Sequence, residues 1–230
     1  MRVHTTTVLS LSALVVLALS GCSHGSATSS GATPSPTVPV HPDGQSAPAP
    51  TPLSSTALAK RLLDESDLGG DYIRMPQRTA EHDDVTLIGC PALAKLGDEA
   101  ATGASLAFPR KAKATFTYAG GSNSEVSEEL YSDVETKLSS GVGRIFEAMT
   151  SCSTLQVLSG STSTTVTTQK VPALQLGDER WSQLLTFTVG GRSSVIKQTA
   201  VRTGAVAVMV SGSPALVDAH LKQAVAKAGL

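Results

Sequence analysis

The reactive chemistry open to this 230-residue chain rests on three cysteines and five histidines. Cys22 closes a short apolar run at Leu19-Ser20-Gly21-Cys22, where a thiol is available for acylation. Cys90 and Cys152 lie far apart, with no Cys-x-x-Cys spacing and no neighbouring histidine, so a redox-active or metal-binding thiol pair has no support. Among the histidines, His82 has the densest set of ligand types around it, Glu81-His82-Asp83-Asp84. Carboxylates and imidazole together can hold a divalent cation, but consecutive residues rarely converge on one ion. That cluster therefore reads as a solvated loop, and no metal site is expected. His220 sits at the polar margin of a C-terminal helix, and Asp218 cannot orient it from two helical positions away. No Gly-x-Ser-x-Gly elbow announces a nucleophile for it, so no catalytic residue and no cofactor are expected.

The residues before Cys22 read as a targeting peptide. Arg2 supplies a basic start, and Val8 to Leu19 is largely apolar. A run of roughly 12 residues fits a signal core, whereas a membrane-spanning helix needs about 20. An ordinary secretory signal would also end at small residues such as Ser20 and Gly21. The cysteine directly after Leu-Ser-Gly is what marks a bacterial lipoprotein signal, with residues 1–21 removed and Cys22 lipidated. A diacylated cysteine carries the buried hydrocarbon that lasting attachment to a membrane requires. With Cys22 assigned to lipid, Cys90 and Cys152 remain as an exported pair and are most simply a disulfide.

Residues 22–54 are dominated by Ser, Thr, Pro, Ala and Gly, with seven prolines from Pro34 to Pro52. Such a stretch buries too little apolar area to offset the entropy of ordering it, so it is expected to be a flexible tether. His24 and His41 fall within it. Residues 55–230 then form one domain large enough for its own core. A net charge of −1 favours neither nucleic acid nor an anionic lipid surface. Aromatic residues make up only 3%, which argues against a carbohydrate-stacking face and for a core of Val, Leu, Ala and Ile.

Periodicity supplies the elements that must position these residues. Leu58, Leu62 and Leu63 predict a helix over Ser55–Glu65, and Pro91 predicts a short helix to Leu96. Val134, Leu138, Val142, Ile145, Met149 and Cys152 recur every three or four positions and predict one long helix over Asp133–Cys152. Gly141 and Gly143 weaken it by about 1 kcal/mol each, so close packing is expected there. Strands are expected at 105–108, 112–118, 162–170, 181–189, 193–202 and 205–210, while 125–131 fits either a third strand or the approach to the long helix. Residues 71–89 read as irregular. The Gly190-Gly191 pair predicts a hairpin turn. Both faces of 205–210 are apolar, which predicts a covered central strand, and the Thr-rich strand at 162–168 reads as a solvent-facing edge. A last helix runs from Ser213-Pro214 to Ala228. Its Ser211-Gly212-Ser213 approach could hold an anion but is more simply a cap. Arg180 and Trp181 could wall a groove, although a lone tryptophan is more often core. The order of elements gives an α+β domain, an antiparallel sheet packed by helices, with one disulfide.

The layout resembles the extracellular sensor domain of the mycobacterial PknH-type serine/threonine kinases and related actinobacterial lipoproteins. The residues that carry it are Leu62-Leu63, Asp67-Leu68-Gly69-Gly70, Cys90-Pro91, Phe146-Glu147-Ala148-Met149-Thr150-Ser151-Cys152 and Gly177-Asp178-Glu179. They span most of 55–230. The resemblance implies a cleft for an unassigned ligand, and two disulfides where this chain has cysteines for one. The expectation is a non-catalytic, lipid-anchored binding or sensor module on the extracytoplasmic side of the cell membrane. Its partners are that membrane and a small ligand or envelope protein, with no nucleic acid. The alternatives are a carrier of lipid or another hydrophobe and, further off, an envelope hydrolase.

Overall fold

The computed structural model describes residues 50–77, 85–96, 108–120 and 124–230. The element order is α1 (Ser55–Ala59), α2 (Glu65–Leu68), β1 (Tyr72–Arg74), β2 (Val85–Ile88), α3 (Pro91–Ala94), β3 (Lys111–Tyr118), β4 (Glu125–Ser132), α4 (Glu135–Ser151), β5 (Thr154–Ser159), β6 (Thr162–Lys170), β7 (Glu179–Val189), β8 (Arg192–Thr203), β9 (Val206–Gly212) and α5 (Pro214–Ala228). The strands form one antiparallel sheet in the order β1-β3-β4-β9-β8-β7-β6-β5-β2. The helices pack on it, so the fold is α+β as expected.

The two faces of the sheet are covered by different helices at different ends. On one face Val206, Val208 and Val210 of β9 join Val126 and Leu130 of β4 against Leu58, Val217, Leu221 and Ala224 of α1 and α5. On the other face Ala207 and Met209 meet Leu138, Val142 and Phe146 of α4. A second cluster on that face joins Ala148 and Met149 of α4 to Leu155, Val166 and Leu185, with Leu93 of α3 beside them. Strand β9 is thus covered on both sides, as its unbroken apolar sequence predicts.

Local chemistry explains where the elements depart from periodicity. The expected Ser55–Glu65 helix is broken into α1 and α2, because Asp64 and Asp67 form a capping box that starts a new helix. The region expected to be irregular contributes both short edge strands, β1 and β2. Strand β5, for which no strand was expected, lies between β2 and β6. Consequently the Thr-rich β6 is an interior strand, with Val166 and Thr168 buried under α4. Hydroxyl content was a poor guide there because the buried positions alternate with exposed ones, as strand geometry requires. Residues 125–131 are fully strand. Of the segment 105–108, residues 105–107 lie outside the described residues, and Phe108 is not in a strand. Gly190 and Gly191 make the two-residue hairpin turn with φ of 54° and 78°. Close packing does account for Gly141, since a Cβ there would come within 2.6 Å of the Phe108 ring.

The disulfide joins Cys90, at the start of α3, to Cys152, at the end of α4, with Cα atoms 5.5 Å apart. It closes a separation of 62 residues. Replacing both cysteines with alanine should lower stability by about 4 kcal/mol on the chain-entropy model, measured by denaturant unfolding. Gly212 fixes the end of β9 against β4. Its φ is 155°, and a Cβ would lie 2.3 Å from the Glu125 carbonyl oxygen and 2.9 Å from Val126 Cα. Gly212→Ala should therefore cost about 2–3 kcal/mol and lower Tm by at least ~5 °C. Gly70→Ala, where a Cβ meets nothing within 4 Å, should leave Tm almost unchanged in the same thermal scan.

Candidate functional site

A cleft of about 400 Å³ opens between the C-terminal half of α4 and the segment that leaves β6. Trp181 and Phe146 form its aromatic wall, with ring centroids 6.3 Å apart and planes inclined by 31°. Alternation along β7 puts Trp181 on the face that α4 covers, opposite Ala200 of β8. The indole lies beside Gly143 of α4, where a Cβ would meet Trp181 Nε1 at an ordinary contact distance of 3.7 Å, so this approach does not itself require glycine. Pro172 and Ala173 form the opposite lip. Lys170 and Glu147 supply charge and Thr150 a hydroxyl, while Arg180 and Ser182, which flank Trp181 in the strand, border the cleft with their side chains alternating to the other face.

The position of α4 determines the shape of this cleft, and both ends of the helix are tied down. At its C-terminus the disulfide holds it to α3. At its N-terminus the buried Arg202 guanidinium donates from Nε to Glu179 at 2.6 Å and lies 3.3 Å from Glu135. Asp178 is 3.5 Å from the same group, and Ser139 of α4 donates to Glu179 at 2.8 Å. Arg202 thereby joins β8, the start of β7 and the first turns of α4.

Arg180 and Trp181, which sequence reasoning offered as a groove wall, do line one. Trp181 is only half-buried, so the core reading covers one side of its ring. No periodicity could have added Phe146, Glu147 and Lys170 to them, because helix and loop meet there only in the folded chain. Ser211, Gly212 and Ser213 line a second hollow of about 430 Å³ with Thr115, Ser127 and Ser194. Ser213 occupies the N-cap position of α5, yet its side chain makes no capping hydrogen bond. The carbonyl of Ser213 accepts from Leu216 and Val217 instead.

His220 is the one histidine among the described residues. His220 Nε2 is 2.6 Å from the Tyr72 hydroxyl, and the two rings meet edge to face. Burial pushes the imidazole below its usual range and the tyrosine above its own. Asp218 points elsewhere and pairs with Lys197 at 2.5 Å. His82 with Glu81, Asp83 and Asp84, and Cys22 with the rest of residues 1–49, lie outside the described residues. Among the described residues no three metal-ligating side chains cluster. No helix among them is long and apolar enough to cross a membrane.

No protein-family model matches the chain, and no curated protein matches it. Among solved structures, the extracellular domain of PknH from Mycobacterium tuberculosis matches with a TM-score of 0.57 at 12% sequence identity. The match covers 78% of this chain and 98% of that one. The two folds are similar. At this identity the likeness concerns backbone architecture, and the cleft side chains are this chain's own.

One strongly perturbed group went unnoticed in the sequence because its β4 position looks like any exposed strand glutamate. Glu128 faces the α1/α5 side of the sheet and is 2% exposed. Its Oε2 accepts from Leu63 N at 2.6 Å, at the break between α1 and α2, while Oε1 has no partner. Burial is the largest cause of a pKa raised to about 7, opposed by the Leu63 hydrogen bond and by Lys227 and Arg74, and reinforced by Asp67. Its hydrogen bond joins the sheet to the turn between α1 and α2. An unfolded glutamate releases its proton near 4.5, so between about 4.5 and 7 the folded chain binds more protons. Stability from this group is present below that window and is lost as pH rises through it. Glu128→Gln should abolish the dependence: its cost relative to the native chain should be about 2–3 kcal/mol larger at pH 5 than at pH 8 in denaturant titrations.

Proposed function

We propose that the chain is a non-catalytic, lipid-anchored ligand-binding module on the extracytoplasmic side of a cell membrane. The cleft at Trp181 carries the binding half of this reading. It has the size of a small-molecule site, an aromatic wall and a few convergent polar groups. It is framed by a helix tied down at both ends, so little ordering has to accompany binding. His220, the one histidine among the described residues, bonds to the Tyr72 hydroxyl and does not line this cleft, which favours binding over hydrolysis there. The charged residues in the cleft favour a small polar ligand over the acyl chain that a lipid carrier would hold.

The anchor half rests on Leu19-Ser20-Gly21-Cys22 and the proline-rich stretch after it. The disulfide supports an oxidising compartment, and similarity to a fold used in an extracellular domain agrees with that. Residues 22–54 then act as a tether and Cys22 as the attachment point. No partner protein is assigned.

Two measurements test the two halves separately. Cys22→Ala should move the chain from the membrane to the soluble fraction; unchanged membrane association would remove the anchor. Native mass spectrometry of chain extracted from membranes should release a small molecule that is absent from Trp181→Ala. A ligand retained in full by Trp181→Ala would remove the cleft from the reading.

A further inference from the structure

We propose that the Trp181 cleft takes an uncharged, flat ring with an amide-type edge, the chemistry shared by a carboxamide, a lactam and a nucleobase. This inference rests on the reading of that cleft as the ligand site, and it adds the chemical class. The first observation is the balance of charge. The sheet register puts Arg180 opposite Val201, whose side chain packs into the core on the α1 and α5 side, so its guanidinium is directed away from the cleft. Lys170 and Glu147 are then the ionisable side chains left to it, one of each sign and both exposed.

Two exposed charges of opposite sign cancel and keep their own water. A ligand ion entering against the aromatic wall would lose its hydration with no buried counter-ion to replace it. An uncharged molecule escapes that cost.

The second observation is the wall. Trp181 and Phe146 present ring faces inclined by only 31°, and Pro172 lines the opposite side. That arrangement favours a flat body over an extended chain. A volume of about 400 Å³ holds a molecule of one or two rings.

The third observation is the lip. Ala173 and Gln175 line the cleft next to Pro172, and neither makes a hydrogen bond to another described residue. The Ala173 backbone offers an N–H donor, and the Gln175 side chain offers both a donor and an acceptor. A ligand edge with a C=O beside an N–H is complementary to that set.

Trp181 is the chain's single tryptophan, so its fluorescence reports on the cleft directly. The full chain in a non-ionic detergent is titrated at neutral pH with benzamide, benzoate and benzamidine, which share one shape and are neutral, anionic and cationic. Acetamide lacks the ring, and N,N-dimethylbenzamide lacks the N–H. Benzamide should change Trp181 emission at concentrations at least about tenfold lower than benzoate or benzamidine. Acetamide and N,N-dimethylbenzamide should each bind at least about fivefold more weakly than benzamide. Gln175→Ala should weaken benzamide by about fivefold, whereas Lys170→Gln and Glu147→Gln should leave it within about twofold.

Benzoate or benzamidine binding as tightly as benzamide, or benzamide binding lost in Lys170→Gln or Glu147→Gln, overturns the uncharged ligand while the cleft remains a ligand site. N,N-dimethylbenzamide matching benzamide, or Gln175→Ala without effect, overturns the amide edge. Acetamide matching benzamide overturns the ring. If none of the probes alters Trp181 emission, the ligand-site reading itself falls.

Discussion

The structure depends on the burial of β9 from both sides. Its alternate residues point into two separate cores, Val206, Val208 and Val210 into one and Ala207 and Met209 into the other. An antiparallel sheet ordinarily keeps one face wet, and a strand covered on both faces must be apolar throughout. Because the two helical layers overlap at this strand and are offset elsewhere, each leaves part of its face open. The offset explains why hollows occur where they do. The first lies at the margin of α4, and the second lies on the same sheet face beyond the reach of that helix.

Each helical layer is attached through one buried ionisable group in addition to its apolar face. On the terminal-helix side, Glu128 reaches from the sheet to the Leu63 amide freed by the helix break, and Lys227 of α5 bridges Asp64 and Asp67 of the capping box. On the α4 side, Arg202 gathers Glu179, Asp178 and Glu135. Such groups cost desolvation, and their value lies in permitting one arrangement of the helices rather than several. Arg202 is well satisfied, with a further bond to the Gly204 carbonyl at 3.1 Å. Glu128 is not, because one oxygen has no partner, and its burial raises its pKa to about 7.

This distinction bears on function. The α4 layer is held by charge at one end and by a covalent bond at the other, and the cleft lies along its C-terminal half. A rigid frame of this kind suits recognition, since the aromatic wall of Trp181 and Phe146 is in place before anything binds. The frame and the aromatic wall together make this cleft the strongest site candidate in the domain.

Much of the fold was legible in the sequence wherever pattern and environment coincide. The α4 stripe, the paired glycines of the β7–β8 hairpin, the apolar run of β9 and the cysteine pair each signal their structure locally. The short edge strands and β5 were not legible, because their partners lie far along the chain and their side chains alternate too briefly to mark a face. Asp64 shows a finer limit: the leucine spacing around it predicts one helix, and only its hydrogen bonds with Ser66 and Asp67 divide that helix in two. By itself the sequence determined the α+β class and the disulfide, and it offered Arg180 and Trp181 as a groove wall only as the alternative to a core tryptophan. Tertiary structure alone decided that Phe146, Glu147 and Lys170 share a cleft with them, and that Glu128 is buried. Burial and convergence are properties of segments brought together across the sheet, and no local pattern in the chain encodes them.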